Sequence, residues 1–203
     1  MREIAAGLWH WTAEHERIHA VVSSYYLVPE RVLLDPMMPP GGTKWFIEQG
    51  SEPEHIVLTN RHHDRDSWRL REAFGCDVHC IANGCRELAG RGPVTPFDFG
   101  DELPGGIVAH EVGAICPDET ALHIPAHDAL ACADGIVRWP GVDGLTFVPD
   151  YLMDSPEDTK RGLRSAYRAL LELDFDRLLL AHGEPVASGG KLALREFTAA
   201  AGA

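Results

Sequence analysis

Three groups of polar residues, each directly after an apolar run typical of a buried strand, carry the side chains that could do chemistry. They are the segment 59–65, with the sequence TNRHHDR, and the pairs Asp134-Gly135 and His182-Gly183. Loops that follow strands gather functional side chains, and these three could converge at one sheet edge. Imidazole and carboxylate groups together are the ligands that a divalent metal such as zinc requires. Taken singly, each group also fits a turn or a surface position, because Asp-Gly is a common turn dipeptide.

The elements that must position these groups follow from the alternation of apolar runs and turn signals. The sequence predicts strands over residues 18–28, 32–34, 55–59, 78–81, 107–112, 120–124, 129–133 and 177–181. It predicts helices over residues 43–49, 65–74 and 190–199, and a further helix that opens at Ser155-Pro156. Gly75 is expected to end the second helix. This order lacks the even rhythm of a doubly wound sheet and favours two mixed sheets flanked by helices.

Composition indicates a globular protein with a sizeable core. The chain has 203 residues, of which 45% are hydrophobic and 24% charged, and we expect residues 1–203 to form a single domain. The formal net charge is -13 and no run of Lys or Arg occurs, which argues against nucleic-acid and anionic-membrane partners. The expected partner is a small-molecule substrate, and association into a homo-oligomer stays open.

The cysteines and the N-terminal segment predict a cytoplasmic protein. We expect neither a signal peptide nor a membrane span, because no run approaches the ~18 apolar residues that a spanning helix needs. The chain has five cysteines, an odd number, which favours reduced thiols. Cys76, Cys80 and Cys85 lie near His79, but their spacing is not that of a zinc knuckle. Packing thiols are therefore a better interpretation than a structural metal.

Four further segments combine with the polar groups into an ordered set. They are residues 7–9 (GLW), 23–25 (SSY), 32–36 (VLLDP) and 99–106 (FGDELPGG). In this order they resemble the opening hairpin, the v-l-I-D segment and the G-D-x-L-x-x-G turn of the metallo-β-lactamase-fold superfamily. The resemblance covers nearly the whole chain. It implies an αββα sandwich of the α+β class, with two mixed β-sheets packed face to face and helices on the outside.

The metal-binding motif of that superfamily, T-H-x-H-x-D-H, falls on residues 59–65, where it is degenerate. Asn60 replaces the first His and Arg65 the last, while His62 and Asp64 stand at ligand positions. An amide is a weak ligand, and a guanidinium cannot coordinate a metal. The resemblance therefore implies that part of the metal site has been lost.

The later ligand positions are also only partly kept. Ile115 falls where a further His should be, whereas Asp134 matches the metal-bridging Asp and His182 the last His. The resemblance then implies at most one divalent metal, zinc first and iron or manganese as alternatives, or none. The implied ligands are His62, Asp64, Asp134 and His182. Whether one of three nearby histidines replaces the missing ligand stays open: His110, His123 or His127.

The activity that the resemblance implies is hydrolysis by metal-activated water, at an ester, thioester, lactone or phosphodiester bond. Asp64 would orient the water or act as general base, and His62 would bind substrate or donate a proton. Asn60 and Asp35 are expected beside the site.

A metal-free protein of the same fold, which binds a ligand or a partner protein, is the alternative. Arg65 carries a fixed positive charge next to Asp64, and it could neutralise Asp64 and Asp134 in place of an ion. We therefore expect Arg65 to point at one of these two carboxylates. Elemental analysis for bound zinc, iron or manganese distinguishes the two functions.

Overall fold

The computed structural model describes residues 1–200, which form two β-sheets, five α-helices and four short 3-10 helices. Residues 201–203, the end of the predicted domain, lie outside the described residues. No helix of the described part is both long and apolar enough to cross a membrane.

The first sheet has seven strands, which follow one another in chain order across the sheet. They are β1 (Arg2–Ala5), β2 (Leu8–His15), β3 (Ala20–Leu27), β4 (Val32–Leu34), β5 (His55–Val57), β6 (Asp77–Ile81) and β7 (Thr95–Phe97). Strands β1 to β4 pair antiparallel, and β4 to β7 pair parallel. The sheet is therefore mixed, and its parallel half leaves several loops at the same edge.

The second sheet has five strands in the order β12-β11-β10-β9-β8. They are β8 (Glu102–Leu103), β9 (Ile107–Glu111), β10 (Thr120–Ile124), β11 (Ala129–Cys132) and β12 (Arg177–Leu180). Only the β11–β12 pair is parallel. Two mixed sheets with helices confirm the predicted fold class.

Alternation of side chains along the strands of the second sheet divides the core into two layers. Leu122 and Ile124 of β10 pack in one apolar cluster with residues of the first sheet, so the two sheets lie face to face. Ala121 of β10 and the neighbouring Leu130 and Cys132 of β11 belong to a second cluster, on the opposite face. This period of two is what a strand buried on both faces requires.

The five helices are α1 (Lys44–Glu48), α2 (Ser67–Phe74), α3 (Ala82–Leu88), α4 (Pro156–Leu170) and α5 (Gly190–Ala199). Leu163, Tyr167 and Leu170 of α4 cover the outer face of the second sheet. Helix α2 ends as predicted at Gly75, which has a left-handed φ of 77° and donates its N–H to the carbonyl of Arg71.

Candidate metal centre

The polar groups that follow four of the strands meet at one edge of the two sheets. Strands β4 and β5 are parallel neighbours, so Asp35 and the segment 59–65 leave the first sheet side by side. Strands β11 and β12 are parallel neighbours in the second sheet, so Asp134 and His182 leave it side by side. The imidazole of His63 joins the two sheets, because it contacts both Asp35 and Asp134.

A single turn of 3-10 helix over Arg61–Asp64 decides which histidine faces inward. Asn60 caps this turn, since its side-chain oxygen accepts a hydrogen bond of 2.9 Å from the N–H of His62. The turn leaves His62 exposed and buries His63. The local backbone thus places His63 in the candidate site.

His63 lies between two carboxylates. Its Nδ1 is 2.9 Å from Oδ2 of Asp35, and its Nε2 is 3.2 Å from Oδ1 of Asp134. Burial lowers the pKa of the imidazole, but the charges of Asp134 and Asp35 outweigh burial and raise this pKa to about 9. Without a metal ion His63 is therefore an imidazolium, with one N–H directed at each carboxylate.

Asp35 is itself held in place from the backbone side. Its Oδ1 accepts the N–H of Thr59 at 2.8 Å, and its Oδ2 accepts the Thr59 hydroxyl at 2.5 Å. Burial raises the pKa of the Asp35 carboxyl, but His63, Arg65 and Thr59 together hold it below its ordinary value. Asp35 is therefore a fixed anion that orients the His63 ring.

Asp134 is the centre of a group with metal-ligand chemistry. Its Oδ1 lies 3.0 Å from Nε2 of His182 and 3.2 Å from Nε2 of His63. One ligand atom from each of the three residues lies within 4.8 Å of the other two. The other carboxylate oxygen of Asp134 accepts a hydrogen bond of 3.1 Å from the Asn60 amide. Burial raises the pKa of Asp134, but His63 and His182 depress it well below its ordinary value.

These three residues fit one divalent ion. Two imidazoles and a carboxylate are a common catalytic ligand set for zinc, and three protein ligands leave a coordination position for water or substrate. His63 also has the outer partner that metal-bound histidines usually have, because its Nδ1 contacts Asp35. The Nδ1 atom of His182 is buried and has no partner among the described residues. The fit is thus complete at His63 and partial at His182.

The structure brings together only part of the ligand set expected from the sequence. Only Asp134 and His182 of the four implied ligands belong to the group, and His63 takes the place expected for His62. Asp64 is buried but faces elsewhere, since its Oδ2 accepts the indole N–H of Trp68 at 2.8 Å. Asn60 was the signal available in the sequence, because Asn is a common helix N-cap. A helical turn after Asn60 directs the next side chains differently from an extended strand.

Asp64 is also not placed to act as a general base. Its Oδ2 lies 2.8 Å from Nε of Arg91, and its Oδ1 lies 3.9 Å from Arg17. A carboxylate with these partners is committed to structural contacts. These contacts do not favour the expected catalytic role of Asp64, whereas the exposed His62 lines the cleft described below.

Arg65 is buried as a cation, but its contacts differ from those expected. Its guanidinium donates to the backbone carbonyls of Ser23 and Asp35, each at 2.6 Å, and of Ala181 at 3.4 Å. It forms no ion pair with Asp64 or Asp134. Burial lowers the pKa of Arg65, and the charges of Asp35 and Asp134 oppose this effect. Arg65 balances the carboxylates at a distance and binds the backbone directly.

None of the three histidines around the missing ligand position belongs to the group of described residues with metal-ligand geometry. His123 contacts the carbonyl of Asp174 at 2.8 Å, and His127 contacts Glu30 at 2.9 Å. The ring of His110 lies beside that of His123, with 6.2 Å between centroids. The loss at Ile115 is therefore not compensated by a neighbouring imidazole.

Glu119 is a buried acidic residue that sequence reasoning missed. Its Oε1 accepts the N–H of Gly135 at 2.6 Å, and its Oε2 accepts the N–H of Ile115 at 3.3 Å. Burial and the charge of Asp134 raise the pKa of Glu119 to about 7. No motif signalled this residue, because its role depends on the loop after β11 packing against it.

A cleft of about 920 Å³ opens over the candidate site. His63, Asp134 and His182 line it together with the exposed His62. A volume of this size suits a small organic molecule.

Solved structures with the same architecture extend over nearly the whole chain. The DIM-1 metallo-β-lactamase superposes with a TM-score of 0.73 and 15% identity, covering 97% of this chain and 93% of its own. A metallo-β-lactamase family protein from Thermus thermophilus, TTHA1429, gives a TM-score of 0.65 and 14% identity, covering 97% and 80%. TTHA1623, solved in a di-iron-bound form, gives 0.62 and 20% identity, covering 91% of both chains.

These similarities define the class of protein: the chain has the metallo-β-lactamase fold, as its sequence segments predicted. No protein-family model matches the sequence, and a search of curated proteins finds no match. The identities are low, so the likeness carries the fold, and the chemistry must be argued from the residues present.

Proposed function

We propose that this chain is a hydrolase that works with one divalent metal ion held by His63, Asp134 and His182. The observation that carries the proposal is the convergence of their three ligand atoms, within 4.8 Å of one another, where they line the cleft. Zinc is the expected ion because it favours imidazole and carboxylate ligands. Iron and manganese are the alternatives, and the neighbouring TTHA1623 has been solved in a di-iron-bound form.

Too few free ligand side chains and a nearby positive charge favour one metal ion over two. Ile115 is apolar, and Asp64 is occupied by Trp68 and Arg91. The guanidinium of Arg65 adds a permanent positive charge beside Asp35 and Asp134, which disfavours a second cation.

A bound divalent ion would supply Lewis acidity, which polarises a carbonyl or phosphoryl oxygen and acidifies water. The chain's own residues then position and move protons. Asp35 holds the His63 ring through Nδ1, and the Asn60 amide holds the second oxygen of Asp134. The exposed imidazole of His62 can pass a proton to a leaving group in the cleft. We propose an ester, thioester, lactone or phosphodiester as the bond cleaved.

The proposed partner is a small molecule, because a cleft of about 920 Å³ matches the size of small-molecule sites. We propose neither a nucleic acid nor a membrane as a partner, since the net charge of -13 opposes both. The five free thiols are compatible with the proposed cytoplasmic location.

A metal-free ligand-binding protein is the second candidate, and one observation favours it. Protonated His63 contacts the carboxylates of Asp35 and Asp134, and the positive charge of Arg65 acts on both carboxylates from a greater distance. The two positive and two negative charges of this cluster balance. Such a cluster needs no ion, because each of the two carboxylates has a cation nearby.

Metal content decides between the two candidates. The purified chain is analysed for zinc, iron and manganese, and then titrated with each ion by calorimetry. We expect one equivalent of metal per chain. His63→Ala and His182→Ala should lose stoichiometric binding, and Asp35→Asn should weaken affinity by about 10- to 100-fold, as for other outer partners of metal-bound histidines.

His62→Ala is the matched control, because it removes the neighbouring imidazole without touching the three ligands. It should bind one equivalent with the affinity of the wild type. An ester, thioester, lactone and phosphodiester panel with the loaded protein then identifies the bond cleaved. Two equivalents of metal, or none in the wild type, would contradict a mononuclear hydrolase, and absence of metal would favour the binding protein.

A further inference from the structure

Two arginines from separate parts of the chain face the cleft around one buried carboxylate. Arg17 belongs to the turn between β2 and β3, and Arg91 follows α3. Nε of Arg91 lies 2.8 Å from Oδ2 of Asp64, and a terminal nitrogen of Arg17 lies 3.9 Å from Oδ1 of the same residue. The Asp64 side chain is only 3% exposed, and Trp68 also donates to it. Asp64 therefore fixes the position of the Arg91 guanidinium.

Most donors of these two guanidinium groups remain free. An arginine has five N–H donors, and the contact of Arg91 with Asp64 at 2.8 Å is made by Nε. Its two terminal nitrogens make no hydrogen bond to any residue in the described part of the chain. Arg17 is too far from Asp64 for a hydrogen bond. The side chains are 40% and 63% exposed, so their free donors are accessible to a ligand.

The charges of this cluster do not balance. Two guanidinium groups share one carboxylate, which leaves one positive charge in excess among Arg17, Arg91 and Asp64. Arg61, a third cleft arginine, differs because it is paired with both Asp118 and Glu87. The excess charge and the free fork-shaped donors together match an oxyanion, which two guanidinium groups can bind through paired N–H···O contacts.

Apolar side chains line the same cleft. Ile18, next to Arg17, and Leu152 are exposed large hydrophobic residues, and Leu88, near Arg91, also contributes to the lining. A ligand that fills this space needs an apolar body beside its charged group, because exposed apolar surface is stabilised when it is covered.

We propose that Arg17 and Arg91, with Asp64 as their anchor, form an oxyanion-binding subsite for the carboxylate or phosphate of an amphipathic small molecule. This proposal rests on the proposed function, because the ligand of the subsite is taken to be the substrate of the same cleft. Asp64 then acts as a positioning residue for substrate binding, in place of the metal-ligand role expected from the sequence.

The test is a calorimetric titration of the full chain, at low salt, with benzoate, phenyl phosphate, inorganic phosphate and the neutral benzyl alcohol. The titrations are made on the protein as isolated and again after treatment with a chelator. We expect benzoate or phenyl phosphate to bind in both states and more tightly than benzyl alcohol. If benzoate binds more tightly than phenyl phosphate, the subsite prefers a carboxylate, and the reverse order indicates a phosphate. Added salt should weaken binding because the guanidinium groups are exposed.

Arg91→Gln should weaken binding of the anion by about 10- to 100-fold, since charge-assisted hydrogen bonds are lost. Arg17→Gln should weaken it by about 5-fold or more, and this exposed substitution leaves the packing around Asp64 intact. Arg161→Gln, at an exposed arginine of α4 outside the cleft, is the control and should bind as the wild type.

Metal stoichiometry is measured on the same variants and should stay as in the wild type. Arginine-dependent binding in a chain that holds no metal would support the subsite and contradict only the proposed hydrolase. Affinities that are unchanged in both Arg17→Gln and Arg91→Gln would overturn the subsite. Equal binding of benzyl alcohol, or no binding of any anion, would overturn it as well.

Discussion

Glu119 illustrates how a single buried carboxyl group connects the second sheet to the candidate site. Its Oε1 accepts the N–H of Gly135, the residue after Asp134, so it fixes the loop that carries the carboxylate at the centre of the ligand group. A side chain on Gly135 would have no room, because an added Cβ would lie 2.6 Å from atoms of Glu119, Leu163 and Tyr167. The loop and the acid are therefore packed as a unit.

The pKa of Glu119 makes the stability of the chain depend on pH. Its folded value of about 7 is raised above the ordinary 4.5 by burial first and by Asp134 second. The folded state thus holds this proton more tightly than the unfolded state, and this contribution to stability is lost as pH rises from about 4.5 to about 7. The loss corresponds to about 3 kcal/mol. Tyr167, Cys132 and His63 are the other titratable groups nearby.

Glu119→Gln removes this titration and keeps an acceptor for the Gly135 N–H. Urea melts at about pH 4.5 and about pH 8 give the unfolding free energy of both proteins. We expect the difference between variant and wild type to shift by about 3 kcal/mol in favour of the variant from the lower to the higher pH. Glu87→Gln, at an exposed glutamate, should show no such change. A pH-independent difference between Glu119→Gln and wild type would show that Glu119 is ionised in the fold.

At the residue scale, the resemblance predicted which loops would meet, but not which side chains of those loops would face one another. Asp134 and His182 follow buried strands and match ligand positions, and both lie in the group. Whether His62 or His63 faces the site depends on a turn of four residues that Asn60 caps. The sequence motif alone does not predict this turn. Glu119 became visible only through tertiary packing.

The loop after β12 depends on a close approach between two chain segments. Gly183 has a φ of 91°, and a Cβ at this position would lie 1.8 Å from the carbonyl oxygen of Arg138. The N–H of Arg138 donates to the carbonyl of His182 at 3.1 Å, so the two segments are in direct backbone contact. The glycine therefore allows the approach that positions the His182 side chain.

Gly183→Ala should destabilise the chain by more than about 3 kcal/mol, because it combines left-handed backbone strain with a steric clash. Gly144→Ala is the control, since Gly144 also has a positive φ, of 76°, but open space around it. Its cost should be only about 1 to 2 kcal/mol. Urea melts of both variants measure the difference, and equal losses would refute the packing argument.

At the element scale, strands and helices with strong patterns were predicted and others were missed. The strand over 120–124 and the helix over 190–199 have the predicted bounds, and the helix at Pro156 begins as expected. Helix α3 was missed because Asn83-Gly84 reads as a turn. The structure explains this glycine, because a Cβ there would lie 2.9 Å from the Asp118 carboxylate. Strands β1 and β2 were missed by the strand pattern, and only the resemblance at residues 7–9 indicated a hairpin there.

At the scale of the whole molecule, polar contacts join the two sheets at the edge that carries the candidate site. The hydroxyl of Tyr25, on β3, lies 2.8 Å from the carbonyl and 2.9 Å from the N–H of Leu180, on β12. The N–H of Ser23 donates to the carbonyl of Ala181 at 2.9 Å. Arg65 completes this junction, because its guanidinium binds carbonyls from both sheets. The relative position of the candidate ligands from each sheet depends on these contacts.

Arg65→Met should therefore destabilise the chain by about 3 to 5 kcal/mol. The substitution leaves the buried carbonyls of Ser23 and Asp35 without the guanidinium donor, and it removes a cation near the carboxylates of Asp35 and Asp134. Arg65→Lys keeps the charge but lacks the planar fork, so its loss should be intermediate. Arg69→Met, at an exposed arginine of α2, should change the free energy of unfolding by less than about 0.5 kcal/mol. Urea unfolding at pH 7 gives all three values, and a wild-type midpoint for Arg65→Met would show that the two sheets are held together without this cation.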